Sequence, residues 1–129
     1  MFWVALSALI MSLTGEGDDT FAIREFLSRA REAVAEHVHD PVRQRRALET
    51  LERSSKAFAQ HRKRAGKISD CIERADRKYA ASAADYQRCL KDVAPAWDTA
   101  AEELIQLSGD FRRTLTPAEL AAVRRDAEK

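Results

Sequence analysis

The only two cysteines of this chain, Cys71 and Cys89, lie nine residues either side of position 80. Between them sits the small-residue run Tyr79-Ala80-Ala81-Ser82. A chain folded back there brings the two sulfurs alongside each other, so the sequence predicts one long antiparallel helical hairpin over 41–113. Two cysteines in a small chain leave a disulfide, a metal pair or two buried thiols. There is no Cys-x-x-Cys, and no histidine lies near either cysteine in sequence. The mirrored placement favours a disulfide between Cys71 and Cys89, and with it an oxidising compartment.

The arms differ in charge. Side chains sum to −4 over 16–40, +7 over 41–78 and −2 over 79–129, although the whole chain carries only +1. One basic arm against one mildly acidic arm favours folding back, and no global field points to nucleic acid or acidic substrates. With 129 residues, four Gly and three Pro, the chain has room for one domain with a modest, helix-biased core.

Periodicity defines the helices. A break at Thr14–Thr20 precedes a helix from Phe21, whose Ile23, Phe26, Leu27, Ala30, Val34 and Val38 recur at three- and four-residue spacing. It ends before Asp40-Pro41, where Asp40 caps the next helix and Pro41 takes its first position. That helix runs to about Lys78. Its seam, Leu48, Leu51, Ser55, Phe58, Arg62, Ala65, Ile68, Ile72, Ala75 and Tyr79, recurs in steps of three and four. Ser55 and Arg62 interrupt it, and Gly66 adds about 1 kcal/mol of local cost relative to Ala. A bend or a packed partner is expected there. Ser82 and Asp85 form a capping box for a third helix, striped by Tyr86, Leu90, Val93, Trp97, Ala101, Leu104, Leu107 and Phe111. Pro95 should kink it. Reflection about 80 sets Lys56–Lys63 opposite Asp98, Glu102 and Glu103. A last short helix opens at Thr116-Pro117-Ala118-Glu119, stapled by Leu115 and Leu120, and should fray from Arg124.

Residues 1–15 contain no charged side chain. As a helix, Met1–Thr14 spans about 20 Å, short of a hydrocarbon core of roughly 30 Å. A membrane anchor, a cleaved signal and the start of a soluble bundle compete for this segment. A positive n-region and a clear A-x-A site are missing, which disfavours the signal. The expectation is a membrane anchor at 1–15, a linker at 16–20 and a helical bundle at 21–129. Glu16, Asp18 and Asp19 flank the anchor downstream, so the amino terminus is placed in the cytoplasm and the body outside, in the periplasm or its equivalent.

Catalytic motifs are missing: no Gly-rich phosphate loop, nucleophile elbow or His-Glu-x-x-His occurs. The chain is therefore read as a non-enzyme, with no cofactor and no small-molecule substrate. His37 and His39, with His61 as a third ligand, are the best metal candidates, because imidazole suits Zn, Ni, Co or Cu. Their i, i+2 spacing sets them on different helix faces, so solvated histidines are the simpler reading. Arg43, Arg45, Arg46 and His61-Arg62-Lys63-Arg64 could touch phosphates, but no aromatics interleave them, and a solvated basic face is the simpler reading.

Leu115-Thr116-Pro117-Ala118-Glu119, placed after a long helical hairpin, resembles the Leu-Thr-x-x-Gln signature of small periplasmic helical-hairpin proteins. These include envelope-stress chaperones and membrane-anchored metal sensors. The resemblance implies an all-α, periplasmic and often dimeric protein that binds clients, metals or a regulatory partner. Glu119 replaces the Gln, one copy stands in place of two, and the family's metal ligands do not map onto this chain. The leading expectation is a membrane-anchored helical interaction or scaffold protein, an accessory subunit pairing through helix faces with itself or a membrane partner. A periplasmic stress chaperone or metal-responsive sensor is the alternative.

Overall fold

The computed structural model describes residues 19–78 and 80–128. They form five helices and no strand: α1 (Asp19–His37), α2 (Pro41–Asp76), α3 (Ala83–Leu90), α4 (Val93–Thr114) and α5 (Pro117–Ala127). The expected anchor at 1–15, the hairpin midpoint Tyr79 and the last residue fall outside the described residues. No helix among the described residues is long and apolar enough to cross a membrane. The linker expected at 16–20 gives way early, because α1 already includes Asp19 and Thr20.

Local chemistry explains most helix ends. Asp40 Oδ1 accepts from the backbone N–H groups of Val42 and Arg43, each at 3.0 Å, with Pro41 opening α2. The side-chain amide of Gln44 turns back to donate to the carbonyls of Val38 (3.0 Å) and Ala35 (3.2 Å), closing α1. At α5, Glu119 N–H donates to Thr116 Oγ1 (3.2 Å) and Thr116 N–H donates to Glu119 Oε1 (3.0 Å). Each such cap satisfies donors or acceptors that a helix end otherwise leaves unpaired.

The core lies at one end of the hairpin. Leu27, Ala30, Val34 and Val38 meet Leu51 of α2, Phe111 of α4, and Val123 and Ala127 of α5. Leu115 and Leu120 staple the start of α5 and join this cluster. Four helices therefore form a head. Fully burying each large apolar side chain there contributes about 1.5–3 kcal/mol. The carboxy-terminal turn, expected to fray, is ordered through Ala127 because Val123 and Ala127 are inserted in this core.

Beyond the head, α2 continues as one arm of a two-helix stalk with α3 and α4 as the other. At 36 residues α2 is about 54 Å long. The arms pack through small side chains, Ala57 and Ala65 on one and Ala96 and Ala100 on the other, all buried. Phe58, Trp97 and Leu104 fill the base of the stalk.

Two expectations are corrected. Arg62 is exposed and His61 is buried in its place. Steps of four and three back from the buried Ala65 reach His61, Phe58, Ser54 and Leu51, so Arg62 falls one residue off the face that α2 buries. The third helix is broken rather than kinked, with a turn at Lys91–Asp92 that leaves Leu90 half exposed. Pro95 lacks the N–H that Lys91 would bond and crowds that carbonyl, so the chain restarts and Pro95 falls in the first turn of α4, where no donor is needed. At Gly66, where a bend or a packed partner is expected, α2 is continuous.

Candidate functional site

The far end of the stalk is fixed by three cross-links. Cys71 and Cys89 form a disulfide, with S–S 2.04 Å and Cα–Cα 5.6 Å. Tyr86 Oη donates to Asp76 at 2.7 Å, and that bond raises the tyrosine pKa. Asp85 accepts from the backbone N–H of Ser82 at 3.0 Å, pairs with Arg88 and lies 3.6 Å from Lys78. The Ser82 N–H is the main reason its carboxyl titrates below the usual aspartate range.

Beside the disulfide runs a groove of about 520 Å³, lined by Gln60, Lys63, Arg64, Lys67, Ile68, Cys71, Arg88, Cys89 and Asp92. Positions 60, 63, 64, 67 and 71 follow helical spacing, so one face of α2 supplies most of it. Arg88 is occupied by Asp85, whereas Lys63, Arg64 and Lys67 have no ion-pair partner among the described residues. Of the expected pairing of Lys56–Lys63 with the acidic arm, His61 supplies the one cross-arm pair among the described residues. Lys56 pairs with Glu52 along its own helix at 3.7 Å, and Glu103 is taken by His61 at 2.8 Å. The groove is thus a concave basic surface on which Lys63, Arg64 and Lys67, unpaired among the described residues, can meet an acidic group. Reading 61–64 as one run obscured it, because adjacent residues point to different faces; the spacing 60, 63, 67, 71 carries the signal.

The three histidines do not converge. His61 lies in the stalk against Glu103, and His39 is exposed beyond the end of α1. His37, in the last turn of α1, lies 2.5 Å through Nε2 from Asp126 Oδ2 in the last turn of α5. The structure therefore does not bring His37, His39 and His61 together. Instead His37 shares its surroundings with Glu36 and Asp126, and the three ligand atoms lie within 4.8 Å of one another. Asp126 was missed because it is remote in sequence. Its position beside the buried Val123 and Ala127 marks it as a boundary residue of α5.

Glu119 joins head elements as well as capping α5. Arg43 in the first turn of α2 donates to Glu119 Oε2 at 3.2 Å. The Thr116 N–H, with Arg43 adding to it, holds the Glu119 carboxyl below the usual range. The Leu115–Glu119 run therefore acts here as a helix start tied to a neighbouring helix. No family model, curated protein or solved structure matches the chain.

Proposed function

We propose that this protein is a non-enzymatic helical interaction module that presents the tip of its stalk to an acidic protein partner. The single observation behind this reading is the groove beside Cys71–Cys89, where Lys63, Arg64 and Lys67 have no ion-pair partner among the described residues. Charge on such a surface steers encounter and sets orientation more than it adds affinity. No aromatic side chain lines the groove, so it offers no stacking surface for nucleic-acid bases. A helix with an acidic face matches the groove in sign.

The same reading places the body outside the cytoplasm, held at the membrane by residues 1–15. The disulfide supports this placement, because thiols in the cytosol are kept reduced. The apolar composition of 1–15 supports the anchor.

Two measurements test the two halves of the proposal. A membrane-impermeant maleimide on intact cells should label Cys71 and Cys89 only after reduction. Labelling that instead requires lysis and no reductant would put the body inside. A photo-cross-linker at Lys67 should give one discrete adduct that disappears with Lys63→Glu/Arg64→Glu, while one at Glu102 gives none. Adducts that ignore the charge reversal would sink the docking role of the groove.

A further inference from the structure

We propose that Glu36, His37 and Asp126 form a binding site for a divalent transition-metal cation of the zinc class, independently of the stalk groove. His37 Nε2 and one oxygen of each carboxylate lie within 4.8 Å of one another. Ligand atoms about 2.0–2.2 Å from a tetrahedral zinc ion stand about 3.3–3.6 Å apart, so binding parts His37 Nε2 from Asp126 Oδ2, now 2.5 Å away, and draws in the wider pairs by side-chain rotation. One imidazole and two carboxylates are ligands for zinc, cobalt or manganese, and three protein ligands leave a position for water.

The scaffold around these groups is rigid. Val34 and Val38 flank Glu36 and His37, Val123 and Ala127 flank Asp126, and all four are at most 2% exposed. The ligands thus project from backbone that the core holds in place, which is what a preorganised site requires. The side chains of His37 and Asp126 are themselves only 23% and 22% exposed. Both helices end here, so their carbonyl termini add negative potential to that of the two carboxylates. Arg125 Nε approaches the other Asp126 oxygen, Oδ1, at 3.7 Å, which leaves Oδ2 turned to His37.

Cobalt(II) titrated into the purified full chain is the test, read by its visible absorption, with zinc added in a parallel thermal melt. One equivalent of cobalt should develop the absorption band, and zinc at a hundredfold excess over its Kd should raise Tm by about 8 °C. His37→Ala and Asp126→Asn should abolish both, and Glu36→Gln should weaken binding by about 10-fold or more. His39→Ala and His61→Ala should bind like the parent chain. Melts in chelator show whether each variant is folded, and a folded Asp126→Asn chain keeps the test valid if His37→Ala is not. The proposal is overturned if the parent chain gives neither band nor shift, or if both survive in folded Asp126→Asn.

Discussion

His61 Nε2 lies 2.8 Å from Glu103 Oε2 across the stalk, joining a side chain 9% exposed to one 42% exposed. This is a polar pair in an otherwise small-residue seam, at a level where only one alignment of the arms brings it together. We expect His61→Ala to cost about 1–3 kcal/mol, because it removes buried volume and the bond at once. Glu103→Ala should cost less, since its carboxylate reaches water. A double-mutant cycle by urea unfolding should give a coupling of about 0.5–1 kcal/mol. Strict additivity would mean that the pair does not hold the arms in register.

The disulfide closes a loop with a sequence separation of 18, so Cys71→Ser/Cys89→Ser should cost about 3 kcal/mol. The loss should be uneven. Amide exchange after reduction should rise through the tip of the stalk while α1 and α5, packed in the head core, stay protected. Equal loosening of both ends would contradict the division into head and stalk.

Gly66 is exposed on α2, and a Cβ added there meets nothing within 4 Å. Gly66→Ala should therefore stabilise the isolated protein by about 0.5–1 kcal/mol, seen as a higher urea midpoint. If affinity for a partner falls while the midpoint rises, the glycine is kept for a close approach at that face.

Acid should weaken the head through Glu119. Its carboxyl is held below the usual 4.5, chiefly by the Thr116 N–H. A lowered folded-state pKa means that the stabilisation is complete above the ordinary glutamate value and is lost as pH falls through the folded value. Asp40 and Asp85, lowered mainly by the N–H groups of Arg43 and Ser82, act in the same direction. Stability should decline below about pH 4.5, and Glu119→Gln should flatten that decline by removing one titrating group. Glu119→Ala should also cost about 1–2 kcal/mol at neutral pH through the lost cap.

Local signals in the chain were strong enough to place the hairpin, the caps at Asp40, Ser82 and Thr116, the Leu115–Leu120 staple and the disulfide. Each depends on residues close in sequence or mirrored about one turn. The inward position of His61 was obscured because the expected seam ran through Ser55 and Arg62, one residue off the face that steps of four and three back from Ala65 reach at His61 and Ser54. Nor was the break before Pro95 legible as a break, since the same proline can kink a helix or begin one. The Glu36, His37 and Asp126 cluster depends on where α5 docks against α1. That docking follows from three-dimensional packing of Val34, Val38, Val123 and Ala127, and no short motif records it.

Along the stalk, partners stand nearly equidistant from the turn: Asp76 with Tyr86, Cys71 with Cys89, His61 with Glu103. A mirror rule of this kind ties no pair to a fixed separation from the four-helix end. Seven residues removed from each arm, or added to each, would preserve the facing pairs and change the reach of the tip by about 10 Å. The protein is in that sense a ruler with an adjustable span, whose length can vary while the structure that holds it stays the same.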